Sequence, residues 1–384
     1  MRRLAALLLL VLGATSAGAD SFRDTMHSTP VTRATGEAMA EAVGRSFPLT
    51  SASPGVTFTF DPASGAFVRD TEILGQLLLE RARPIGRGRW NFNLSYQHVR
   101  FDTIDGKDLD DLHDTSPPIR EPGSGGRALY TVPRVRLDLE TNQVINNVTY
   151  GLSDDIELNL TIPLIASRLA FNALLQQESG SLARPQRAVE GGSHFGVGDI
   201  FLRGKYRFLS GAWGDVATGL ILRAPAGSQD DFQGTGDWEV SPALYASTRQ
   251  IPIGWKFRLQ GYVNAAVDVN LSDAADSQAR WGLGLDLAIA DRVTLGVAFL
   301  GREAFQRYAA PGTFDFVRGG PGHASVKPLF GLDVGRPSYY DFAVGGRVSL
   351  WRDSLFAFGN VIIPLNDDGF RSNVIPLVGF EYAF

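Results

Sequence analysis

Hydrophobic and polar residues alternate with a period of two through most of the chain. Trp90, Phe92, Leu94 and Tyr96 fall on one side of the stretch 90–101, and Asn91, Asn93, Ser95 and Gln97 on the other. Successive side chains of a strand point to opposite faces, so this spacing predicts a strand with one apolar face. The pattern returns in Ile156, Leu158, Leu160 and Ile162 against Glu157, Asn159 and Thr161, and in Trp281, Leu283, Leu285 and Leu287 against Gly282, Gly284 and Asp286. Twelve such strands are expected near 89–101, 127–150, 156–164, 198–209, 215–225, 237–248, 255–268, 280–290, 292–302, 339–350, 354–364 and 374–384. The stretch 127–150 is long for one span and is expected to project beyond a bilayer. Residues 74–84 read as a further strand before a tight Gly86-Arg87-Gly88 turn, with 56–60 as a hairpin partner. Counting both leans the total to 14; 12 strands plus an internal hairpin is the alternative.

A soluble sandwich also alternates, so the connections carry more weight. Short links near 84–88, 151–155, 210–214, 250–254, 290–292 and 351–354 take turns with long ones near 102–126, 166–196, 226–236, 270–278, 304–338 and 365–373. Strict short–long alternation is the signature of an antiparallel transmembrane β-barrel of the bacterial outer membrane, with short periplasmic turns and long outer loops. Trp90, Tyr206, Phe208, Trp213, Trp255, Trp351 and Tyr382 lie near short-turn ends, and Trp238, Trp281 and Phe299 near long-loop ends, as two interfacial belts require. The chain stops on Phe384, with Tyr382 and Phe380 on the same face. This is like the last strand that outer-membrane barrels present to their assembly machinery.

Arg2-Arg3, the apolar run Leu4 to Leu12 and Ala17-Gly18-Ala19 before Asp20 form a secretory signal peptide, 1–19, with cleavage expected after Ala19. The run is shorter than a spanning helix needs. Removal takes two arginines and moves the net charge from −5 to −7. Residues 20–54 are expected to be a plug or a periplasmic tail, and 55–384 the barrel. Cysteine is absent, which excludes disulfides, zinc–thiolate sites and a cysteine nucleophile. A negative charge without a Lys/Arg run excludes a nucleic-acid binder.

Several stretches resemble one bacterial family of outer-membrane barrels labelled as transporters or as meta-pathway phenol-degradation proteins. They are Leu74-Gly75 through Glu80-Arg81-Ala82, Ile85 to Gly88, Ser95-Tyr96-Gln97, Phe101-Asp102 through Asp105-Gly106, 196–208, 223–227, Gly234-Thr235-Gly236, and Leu295 through Gly301-Arg302. The resemblance covers most of the chain from about residue 47. It implies uptake of hydrophobic or aromatic compounds and supplies no catalytic motif. The plan is also similar to that of the larger fatty-acid and hydrocarbon channels, which fixes no function.

With the apolar face toward lipid, the opposite face lines the lumen: Asn91, Asn93, Gln97, Arg134, Arg136, Asp138, Arg203, Lys205, Arg207, Glu239, Lys256, Arg258, Asp286, Asp341 and Arg347. Both signs are present, so ion pairs are expected to cross it, either as a selective channel or as a web that rigidifies a nearly closed barrel. In the link 166–196, Leu169, Phe171, Leu174 and Leu175 are expected to form an amphipathic turn or two, which either catches a hydrophobic solute or packs as a lid. Six aspartates between 102 and 114 lack the spacing of a calcium loop and read as a solvated outer loop. No HExxH, GxSxG or phosphate-binding glycine loop is present, so neither enzyme nor cofactor is expected. The expected partners are outer-membrane lipid and lipopolysaccharide, the barrel-assembly machinery and a small hydrophobic solute, with the barrel a monomer. The readings left open are a passive channel for hydrophobic or aromatic compounds, a structural or adhesive barrel, and a general porin for polar solutes.

Overall fold

The computed structural model describes Phe22, Ser51, Ser53, 57–61, 66–69, Leu74, 78–113, 119–120, 129–177, 184–254, 256–289, 292–305, 316–317, 324–325, 337–351 and 354–384. The signal peptide and most of 20–54 lie outside these residues. Twelve antiparallel wall positions close into a barrel. They are β1 (Trp90–Phe101), β2 (Leu129–Gly151), β3 (Ile156–Gln177), a fourth position made of β4 (Arg184–Val197) and β5 (Ile200–Ser210), then β6 (Gly214–Ala224), β7 (Glu239–Thr248), β8 (Phe257–Asn270), β9 (Gln278–Ile289), β10 (Val293–Ala304), β11 (Ser338–Trp351), β12 (Leu355–Pro364) and β13 (Ile375–Ala383). β3 pairs with β5 over 156–161 and with β4 over 164–177. β13 returns to β1, with Phe380 opposite Leu94, so the ring has no open edge. Closure lets every wall strand satisfy its backbone within the wall, which a sheet in hydrocarbon must do.

The alternation sorts the side chains as expected. Leu94, Leu158, Leu202, Leu220, Leu283 and Phe380 point outward and are exposed. Their neighbours Ser95, Glu157, Arg203, Gly219, Gly282 and Glu381 are buried toward the interior. Exterior rings cluster at both ends of the apolar band: Trp90 lies 4.5 Å from Tyr150 and Phe92 5.9 Å from Phe384 at the short-turn end, and Trp281 packs on Phe299 and Tyr340 at the long-loop end.

The count is 12, not 14. Residues 58–61 and 66–69 pair only with each other. Leu74 and residues 78–84 belong to no wall strand but to an arch inside the barrel, because wall side chains replace a strand partner. The Leu74 amide donates to Thr294 Oγ1 at 2.9 Å, that of Glu80 to Asn264 Oδ1 at 2.6 Å, and that of Ile85 to Glu157 Oε2 at 2.7 Å. The arch starts at the short-turn end, where Leu74 packs on Phe356 and Ala383, reaches mid-depth at Glu80, and leaves past Ile85.

At that exit Gly88 N–H donates to the Gly151 carbonyl at 2.7 Å. A Cβ on Gly151 would sit 1.8 Å from the Gly86 carbonyl oxygen. Gly151→Ala should therefore cost about 3 kcal/mol or more through overpacking of backbone on backbone. The check is the urea midpoint of the refolded barrel, and an unchanged midpoint would show that the exit turn adapts.

The helical expectation for 166–196 is overturned: its arms belong to β3 and β4, paired from Leu164↔Val197 to Gln177↔Arg184. Leu169 to Asn172 continues the period of two, and register with β2 and β4 fixes it as strand. β2 has 23 residues and β3 has 22. A span needs only about 9–11. The surplus projects as a sheet at the long-loop end.

Candidate functional site

The inward faces of β2 and β3 change chemistry along their length. Near the short turns their inward residues are polar: Gln143, Asn147 and Thr149 on β2, and Glu157, Asn159 and Thr161 on β3. In the projecting part the inward residues become apolar: Val135, Leu137, Leu139, Leu169 and Phe171. Outside the bilayer the exterior is water, so charge moves outward and apolar side chains turn inward. These residues join Phe101, Leu109, Leu112 and Phe370 in one packed, buried apolar cluster.

This inversion corrects three expected lumen residues. Arg134 and Arg136 are exposed on the outer surface, and Asp138 shares their face. Arg134 pairs with Asp111 at 2.7 Å and Arg136 with Asp110 at 3.0 Å. His113, hydrogen-bonded to the Asp111 carboxylate, holds that group below the usual carboxylate range, with Arg134 adding to the effect. Among the loop residues, Leu169 and Phe171 are buried inward while Leu174 is exposed outward; the side chain of Leu175 lies outside the described residues.

The remaining polar candidates take several places. Arg203 and Lys205 are buried at mid-depth and meet the arch: Glu80 lies 3.5 Å from Arg203 and 3.1 Å from Lys205, and Lys205 reaches Glu157 at 2.6 Å. Ser53 joins them, accepting from Lys205 at 2.8 Å and donating to the Glu80 carboxylate. Asn264 clamps the Glu80 backbone from both sides, accepting its amide at 2.6 Å and donating to its carbonyl at 2.9 Å. Arg207 stands lower, against Asp155 at 2.6 Å. Arg347 pairs with Glu381 at 3.1 Å, and Asn91 donates to the same carboxyl at 2.6 Å. Asp286 is buried, and Asn93 and Gln97 share the inward face of β1. Glu239 and Asp341 stand toward the long-loop end, with Arg223 at 3.3 Å and Arg371 at 2.8 Å. Lys256 is exposed beside the short connection to β8, and Arg258 is half-buried at that strand's start. Among the described residues, a cavity of about 80 Å³ remains between the arch and the wall, bounded by Leu79, Glu80, Arg203, Tyr245 and Arg280.

The sequence offered no reason to single out Glu80 or Ser53, because their role comes from the arch entering the lumen, whereas Glu157 stands on the polar face that the alternation assigns to the interior. Phe22 was equally hidden. Its ring is fully buried at the long-loop end, 5.3 Å from Phe232 and 4.4 Å from His194.

No family model and no curated protein matches the chain, so the resemblance carried by 196–208 and its companions stays an expectation. Solved structures do resemble it. An outer membrane channel from Pseudomonas putida F1 aligns over 79% of this chain and 98% of its own, at 16% identity and a TM-score of 0.47. A Pseudomonas aeruginosa FadL homologue aligns over 77% and 90%, at 9% identity and 0.33. The CymD monoaromatic hydrocarbon channel aligns over 78% and 89%, at 7% identity and 0.37.

Proposed function

We propose that the chain is an outer-membrane channel for passive uptake of small hydrophobic or aromatic molecules. The observation that carries this is the apolar face that β2 and β3 turn inward toward the long loops, above the arch. Leu137, Leu139, Leu169, Phe171, Phe101 and Phe370 form a buried apolar cluster toward the long loops, above an arch tied into ion pairs by Glu80. An apolar lining on the path favours solutes that leave water readily, by roughly 25 cal/mol per Å² of apolar surface removed. A general porin has the opposite need, a continuous wet path, and the arch interrupts it at mid-depth. The exposed ring of apolar side chains meets lipid, and Phe380, Tyr382 and Phe384 form the face that the assembly machinery reads. The closed ring needs no second copy, so the working unit is a monomer.

The test uses the full chain. Native protein in planar bilayers is expected to pass little steady current, while cells displaying it accumulate radiolabelled toluene faster than cells without it. A large ohmic current with unchanged toluene uptake would put a polar-solute porin in its place. Absence of both would favour a structural or adhesive barrel, whose projecting sheet binds a partner.

A further inference from the structure

Arg280 and Arg302 stand directly opposite each other on β9 and β10, and both point inward. Cβ atoms so placed are about 5 Å apart, and like charges there are destabilising unless an anion lies between or beside them. Arg203 approaches from β5, and the three guanidiniums border the same cavity of about 80 Å³ between arch and wall. A buried water needs about 10–15 Å³ of such space, so this cavity has room for several heavy atoms.

The carboxylates around it are largely shared. Glu80 lies against both Arg203 and Lys205. Asp341 serves Arg371 at 2.8 Å and Arg302 at 3.9 Å. Glu239 and Asp199 both hold Arg223. Arg280 has a carboxylate of its own: Nε and Nη2 donate to Asp268 at 2.6 Å and 2.7 Å. That pair uses two of the five N–H donors of a guanidinium. The positions of the cations are fixed by their surroundings. Arg302 lies over the Tyr339 ring, 4.6 Å from its centre, and Asp268 clamps Arg280. Leu79 on the arch and Leu300 on β10 supply an apolar side to the same cavity.

We propose that this cavity is a binding site for a small monovalent carboxylate, acetate being the simplest case. Its oxygens face Arg280 and Arg302, and its carbon end rests on Leu79 and Leu300. The planar forks of arginine match an oxyanion in two-point contact, which a lone halide cannot reproduce. The bound anion offsets the like-charge pair that the ladder register forces together. The site goes beyond the uptake of neutral solutes and stands whether or not that reading holds.

Acetate binding to the purified full-length barrel tests this by saturation-transfer NMR on the acetate methyl group, with methylammonium as the cation control. Native protein should bind acetate saturably and show no transfer to methylammonium. Arg302→Gln should weaken acetate roughly tenfold or more, since hydrogen bonds to charged groups are lost. Arg302→Lys keeps the charge without the fork and should weaken it less than Arg302→Gln does. Arg280→Gln alone would leave Asp268 without its partner, so it is combined with Asp268→Asn, and the pair should again cost roughly tenfold or more. Arg134→Gln, on the outer surface, should bind acetate as native protein does. Heat-modifiable migration in gels verifies that each variant is folded. Acetate affinity unchanged in Arg302→Gln and in the Arg280→Gln, Asp268→Asn protein overturns the proposal. So does a native protein that takes methylammonium as well as acetate, or that takes neither.

Discussion

Deleting residues 21–84 should open the lumen to ions. Single-channel conductance should rise by roughly tenfold or more, since barrels larger than eight strands have room for water once nothing fills them. The wall does not need the deleted stretch for its ladder: every strand from β1 to β13 pairs with wall neighbours, and the ring closes through Leu377↔Gln97 to Ala383↔Asn91. The loss falls on side chains. Lys205 keeps Glu157 at 2.6 Å, but Arg203 loses Glu80. Loss of a carboxylate beside a buried cation is costly, so a second deletion protein carrying Arg203→Gln separates a folding defect from an open lumen. Planar-bilayer recording of the refolded, heat-modifiable protein is the measurement. A folded deletion protein as silent as the full chain would mean that the wall side chains alone close the lumen, and the arch would lose its role as the plug.

The barrel was legible in the sequence because the membrane imposes a simple rule on each strand: Trp90, Phe92, Leu94 and Tyr96 must all face lipid. The last strand was legible for the same reason, with Phe380, Tyr382 and Phe384 exposed on one face. The rule reverses where lipid ends. At 134–139 the alternation continues unbroken, yet Val135, Leu137 and Leu139 face inward and Arg134 and Arg136 face water. Period alone marks two faces without naming which is the lumen, so the charged residues there were placed on the wrong side. Leu169 to Leu175 failed differently: four apolar residues in a long link satisfy a helical spacing as well as a strand one, and only pairing with β2 and β4 decides. The arch was hidden more deeply. Its backbone partners are side chains of Thr294, Asn264 and Glu157, between 72 and 220 residues away in sequence, and no local pattern announces such partners. Arg203 and Lys205 could be read as a lumen cluster from their spacing, but the carboxylate that meets both comes from Glu80 on the arch.

That carboxylate ties the arch to the wall, and Glu80→Ala should loosen the arch without dissolving the barrel. Removing one member of a buried ion-pair group takes a countercharge from groups that stay desolvated, at a cost of about 3 kcal/mol. Lys205 retains Glu157, so the cost falls mainly on Arg203 and on the Ser53 hydroxyl that bonded to Glu80. The wall ladder is untouched, and the energy is released locally: the arch leaves its seat while the ring persists. A shift of that size changes the seated-to-released ratio by roughly a hundredfold. Amide exchange at 78–85 should accelerate accordingly, and bilayer recordings should show bursts of current absent from native protein. Strand amides in β8 and β9 should keep their protection. The double variant Glu80→Leu with Arg203→Met separates charge from packing, because replacing a buried pair by apolar residues of similar volume is often neutral. It should return both exchange and current toward native values. If Glu80→Ala leaves exchange at 78–85 unchanged, the Asn264 clamp on the Glu80 backbone and the packing of Leu74, Leu78 and Leu79 hold the arch by themselves, and the ion pairs serve the wall instead.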